Sequence, residues 1–126
     1  MKVLNIVETA YRATLEEQDD TILWLSQSFH HADVDISILL RGNAVNYLVK
    51  GQTPFNLSFG TWQQTQPPAL DRDLEMMMAK DIAVYAIAND IQARALPSDR
   101  LIEGISLIQK SEIAELFEQF DHVWHW

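Results

Sequence analysis

The sequence predicts a three-layer α/β sandwich, with a mostly parallel sheet of about five strands and helices on both faces. Three observations carry this. Short aliphatic runs rich in β-branched residues recur along the chain, amphipathic stretches of helical period separate them, and the composition suits one packed core. The chain has 126 residues, 48% of them hydrophobic and 21% charged, with four glycines and four prolines. Such a chain is expected to form one domain over residues 1–126 that buries about two-thirds of its unfolded surface.

Residues 3–7 form a short apolar run whose length favours a buried strand. Thr14-Leu15-Glu16-Glu17 then has capping-box spacing, and Leu15, Ile22, Leu25, Phe29 and Ala32 fall on one helical stripe. Over residues 33–40 the period changes to two, with Val34, Ile36, Ile38 and Leu40 alternating against polar neighbours, which predicts a second strand. Residues 44–50 read as a short helix closed by Gly51. Period then disappears over residues 52–69, where Pro54, Gly60, Pro67 and Pro68 break regular structure and Phe55, Phe59 and Trp62 add aromatic surface. Leu70, Leu74, Met77 and Met78 restore helical spacing. Residues 82–88 form an uninterrupted strand, 89–95 a short helical turn stopped by Pro97, and 105–108 a fourth strand. Ser111 is placed to cap a helix carrying Ile113, Leu116, Phe117 and Phe120, after which residues 121–126 read as a terminal strand.

Composition also excludes functions. The chain has no cysteine, which removes disulfides, thiolate metal sites and thiol nucleophiles. A formal charge of −9 repels phosphate backbones and anionic lipid, so neither nucleic acid nor a membrane is an expected partner. No apolar run is long enough to span a bilayer, and Glu8 interrupts the start too early for a signal peptide, so the expected compartment is the cytoplasm.

No glycine belongs to a phosphate-binding loop, and Gly42 beside Asn43 is better explained by a tight turn. The histidines occur as His30-His31 and as His122 with His125, spacings that converge on no metal from regular helix or strand; neither a metal nor a cofactor is called for. No serine sits in a nucleophile elbow. Met76, Met77 and Met78 read as core or subunit-contact packing. In an open parallel sheet, functional atoms belong beyond the carboxyl ends of the strands, here near Glu8-Thr9, Arg41-Gly42-Asn43, Asn89-Asp90 and Gln109-Lys110. Four tryptophans with five phenylalanines are hard to bury in so small a chain, which points to self-association.

Residues 84–96, VYAIANDIQARAL, resemble the DsrE/DsrF/DsrH (TusBCD-like) sulfur-relay superfamily, closest to its DsrH or TusB branch. There a strand leads into an acidic turn and a short helix ending Ala-Arg-Gly-Leu. Gly42-Asn43-Ala44-Val45 fits as well, as does a tail in which Ile105, Leu107 and Ile108 precede a helix with aromatic residues and a terminal tryptophan. The resemblance implies a DsrEFH-like, flavodoxin-like sandwich and assembly into trimers or hexamers, often with unlike, cysteine-bearing DsrE/DsrF-like subunits. It further implies a part in sulfur relay, with a sulfur-carrier protein as a further partner, and a persulfide-bearing cysteine near the end of the strand before the short helix. This chain has Ala86-Ile87-Ala88 there, and Ala95 where the pattern has glycine. Residues 52–69 exceed what small TusB-like members carry.

The resulting expectation is a cysteine-less superfamily member, a structural or docking subunit in sulfur transfer or sulfur oxidation rather than an enzyme. Asn89, Asp90 and Arg94 would shape its vestigial pocket together with Glu8, Arg12, Arg41 and Asn43, and Trp62, Trp124 and Trp126 would make subunit contacts. The alternative is a homo-oligomeric small-ligand-binding protein or enzyme whose pocket lies at the same strand ends, with Glu8, Arg12, Arg41, Asn89 and Asp90 around a polar or anionic ligand.

Overall fold

The structure is a computed structural model that describes residues 1–11, 20–52 and 56–126. In chain order its elements are β1 (Lys2–Val7), α1 (Thr21–His31), β2 (Asp35–Leu40) and a 3-10 helix (Gly42–Leu48). A small hairpin, β3 (Ser58–Phe59) and β4 (Trp62–Gln63), follows, then α2 (Leu70–Ala79), β5 (Val84–Ile87) and α3 (Ala88–Ala93). The chain ends with β6 (Ser106–Ile108), α4 (Ile113–Phe117) and β7 (His122–His125).

Five strands form one parallel sheet in the order β6-β5-β2-β1-β7. The chain crosses it in one direction from β1 through β2 and β5 to β6, then returns to place β7 beside β1. Connections made in one direction with right-handed crossovers gather on one face, and the returning one goes to the other. Side chains follow that division. Val7, Ile38, Leu40, Val84 and Ala86 pack with Ile22 and Leu23 of α1, Tyr47 and Leu48 of the 3-10 helix, and Leu74 and Met77 of α2. Leu4, Ile6, Leu39 and Ile87 face the other way, against Leu116 of α4. Both faces are covered, as the fold class requires, but the second rests on a five-residue helix.

Two polar systems brace the first layer, and the second ties it to the sheet. Asp20, almost fully buried, caps α1 through the N–H groups of Ile22 and Leu23 and accepts a hydrogen bond from the Tyr47 hydroxyl at 2.5 Å. Asn5, fully buried on β1, donates to the Ser26 hydroxyl of α1 at 2.7 Å and accepts from the Trp126 indole N–H at 2.5 Å. A buried amide left without partners costs ~1–3 kcal/mol, so this pair of bonds fixes the end of the chain against α1. The Tyr11 ring meets Tyr47 edge-on, and burial raises its phenol above the ordinary value.

Several expectations are corrected in detail. The described part of α1 starts at Thr21 with Asp20 as its cap, while the Thr14 to Glu17 spacing lies outside the described residues. The cap before α4 comes not from Ser111 but from Gln109 and Glu112, which form a reciprocal capping box. The stretch without period contains the β3–β4 hairpin, each strand two residues long and joined through Gly60 at φ +59. Met77 is core, but Met76 is exposed.

The three helices of the first layer end alike. Val34 N–H bonds to the Phe29 carbonyl, Ile82 to Met77 and Leu96 to Ile91, each around a left-handed residue: Asp33 (φ 62), Asp81 (φ 63) and Ala95 (φ 49). This closure favours glycine. Ala95 therefore occupies a glycine conformation, at the position where the family pattern has glycine.

Candidate functional site

Because the sheet is parallel, the carboxyl ends of its strands lie along one edge. Glu8 follows β1, Arg41 and Gly42 follow β2, Asp90 lies in α3 directly after β5, and Lys110 follows β6. Together with Ile87 and Ile113 these residues line a cavity of about 180 Å³. The Gly42 N–H donates to Asp90 Oδ2 at 2.8 Å, binding the β2 end to α3. Gly42 has φ +56, and a Cβ there would stand 3.1 Å from Glu8 Cγ. Glycine thus serves both a left-handed turn and the close passage of the Glu8 side chain.

The Glu8 carboxylate lies between the Arg41 and His125 side chains. Its Oε2 is 2.6 Å from His125 Nε2, and its Oε1 is 3.8 Å from Arg41 Nε. His125 comes to Glu8 because β7 pairs parallel to β1 with His125 beside Ile6, and because the Glu8 N–H bonds to the Trp126 carbonyl. Asn89 and Arg94 sit around the cavity rather than on it. Asn89 accepts from the Lys110 N–H at 2.7 Å, which anchors the β6 end. The Arg94 guanidinium donates to Asn43 Oδ1 at 2.9 and 3.2 Å, so these two expected pocket residues satisfy each other. Arg12 lies outside the described residues.

Of the expected pocket residues, then, Glu8, Arg41 and Asp90 meet around one cavity, and Asn43, Asn89 and Arg94 brace it. Sequence reasoning missed His125 as a partner of Glu8 and placed Lys110 only at a strand end. His122 stands beside Val3 and His125 beside Ile6, so the two alternate across β7. Among the described residues no three His, Cys, Asp or Glu side chains are grouped to hold a metal. No sulfur nucleophile lines the cavity, because the chain has no cysteine.

The tryptophans occupy other surfaces. Trp124 and Trp126 line a groove of about 540 Å³ with Leu25, Phe29, Val123 and His125, along the outer edge of β7. Trp124 packs on Phe29 at 5.3 Å between ring centroids. Trp62 stands on the hairpin and stacks on Phe59 at 5.9 Å, with Phe59 63% exposed and Leu57 41% exposed beside them. The hairpin is held from within by the buried Gln64, whose side chain accepts from the Leu57 N–H. No Asp, Glu, Lys or Arg stands between Lys50 and Asp71, or after Asp121.

Residues 68–123 match the family model described as DsrH like protein, a span that includes β5, α3, the Asp90 and Lys110 positions and α4. That segment is DsrH-like. The ychN protein from E. coli has the same fold as this chain, with a TM-score of 0.75 and 20% identity over 99% of this chain and 98% of that one. A conserved protein of unknown function, BT1422 from Bacteroides thetaiotaomicron, matches with a TM-score of 0.68 and 12% identity over 99% and 94%. MTH1491 from Methanobacterium thermoautotrophicum, also of unknown function, matches with 0.59 and 15% over 98% and 96%. At these identities the likeness is one of fold. No curated protein matches this chain. Among the described residues no helix is long and apolar enough to cross a membrane.

Proposed function

We propose that this chain is a non-catalytic subunit of a cytoplasmic sulfur-relay assembly, which docks a cysteine-bearing homologue or a sulfur-carrier protein. The observation that carries the reading is chemical. In the segment matched to the family, the strand end that the resemblance associates with a persulfide is Ala86-Ile87-Ala88, and Ile87 lines the strand-end cavity. An alkyl side chain cannot accept sulfane sulfur, so any sulfur handled by such an assembly is carried by another subunit.

Its surface supports a docking role. An acidic chain repels acidic partners over most of its surface, and the hairpin and the β7 groove are patches where apolar contact is not opposed by carboxylates. Trp62 with Phe59, and Trp124 with Trp126, are the aromatic residues expected to anchor such contacts. Size-exclusion chromatography with light scattering on the chain alone, and mixed with cysteine-bearing homologues, tests the proposal. An oligomer or a mixed complex is expected; a chain that stays monomeric and binds none of them refutes it.

A further inference from the structure

The strand-end cavity carries an inference independent of docking, because its charged side chains leave hydrogen-bonding capacity unused. Glu8 Oε2 is taken by His125, but Oε1 is 3.8 Å from Arg41 Nε, beyond hydrogen-bond range. Asp90 uses Oδ2 on the Gly42 N–H, and its other oxygen has no partner among the described residues. Arg41 is ion-paired with Glu8, but neither the Arg41 guanidinium nor the Lys110 ammonium makes a side-chain hydrogen bond among the described residues. One small cavity thus offers two acceptor oxygens without a hydrogen bond among the described residues and two cationic donors, with the alkyl groups of Ile87 and Ile113 also in its lining.

Each simpler ligand leaves half of this set unanswered. A small anion would satisfy Arg41 and Lys110 but would meet two carboxylates on a chain of formal charge −9. An amine would satisfy the carboxylates and meet two cations. A molecule carrying both charges answers both and brings no net charge to the acidic surface. The cavity, about 180 Å³, holds the volume of about six water molecules, which suits a ligand of roughly six to ten non-hydrogen atoms. We infer that the strand-end cavity binds a free α-amino acid, its carboxylate held by Arg41 and Lys110 and its ammonium group by Glu8 and Asp90. The Ile87 and Ile113 side chains then select an uncharged, small to medium side chain.

Titration calorimetry and thermal unfolding of the full chain with glycine, L-alanine, L-serine, L-cysteine, L-valine and L-methionine, each added singly, test this. At least one is expected to bind and, at a hundredfold its Kd, to raise Tm by on the order of 10 °C. The matching N-acetyl amino acid and the matching decarboxylated amine should each bind at least tenfold more weakly. Lys110→Gln, an exposed change, should weaken binding at least tenfold, and Glu8→Gln should do so while circular dichroism confirms that the variant is folded. Failure of all six amino acids to bind overturns the inference, as does equal binding of the acetylated or decarboxylated compounds, or unchanged affinity in Lys110→Gln. None of these results bears on whether the chain docks a partner, so the two readings fail separately.

Discussion

The strand-end cavity and the β3–β4 hairpin are built from opposite materials. The cavity gathers charged side chains from the ends of four strands, and its backbone is bonded into the sheet: Arg41 N–H to Val7, Gly42 N–H to Asp90, Lys110 N–H to Asn89. The hairpin lies in a stretch without a charged residue, pairs with no other strand among the described residues and displays stacked Phe59 and Trp62 to solvent. Changes at the cavity should therefore be felt by the whole fold. Changes at the hairpin should spare the fold and act on what the surface touches.

The largest effect is expected at Gly42. Gly42→Ala forces a Cβ into the left-handed region and against Glu8 Cγ, and should cost about 2 kcal/mol in urea unfolding. An unchanged midpoint would show that the strand ends are looser than described. Next, Phe59→Ser with Trp62→Ser should weaken assembly at least tenfold, about 1.4 kcal/mol, while leaving unfolding free energy within about 0.5 kcal/mol. If the double variant unfolds easily yet still assembles, the contrast between the regions is reversed. Ala95→Gly should stabilise the chain by about 1 kcal/mol, since φ 49 suits glycine; a loss of stability would argue against that turn. The smallest change is expected for His125→Gln. Both partners of the His125–Glu8 pair are about half exposed, so removing it should cost well under 1 kcal/mol. A larger cost, read from the same unfolding curves, would mean that β7 hangs on this contact.

The two regions were also unequally legible in the sequence. The cavity was accessible because β1, β2 and β5 are long enough for their apolar runs to stand out, and a parallel sheet puts functional atoms at their carboxyl ends. That reasoning reaches Glu8, Arg41 and Asp90 without side-chain coordinates. It does not reach His125, whose meeting with Glu8 depends on a pairing of the last strand with the first, fixed by the return crossover and not by any local pattern. Asn43 and Arg94 were named for the right neighbourhood, but their bond across the chain takes them out of the cavity. The hairpin was invisible for another reason: strands of two residues have no period to detect, and Gly60 alone does not distinguish a turn from an irregular loop. The cap was misassigned because a 3-10 turn, Lys110–Glu112, precedes α4, and it is this turn that Gln109 and Glu112 cap as a pair.

The measurement that tests the central claim most directly is native mass spectrometry of the chain mixed with a cysteine-bearing homologue charged with sulfane sulfur. The account predicts a mixed complex in which the added sulfur mass stays on the homologue and this chain keeps its unmodified mass. A chain that remains alone in the presence of every such homologue, or one that itself takes up the sulfur, would contradict it.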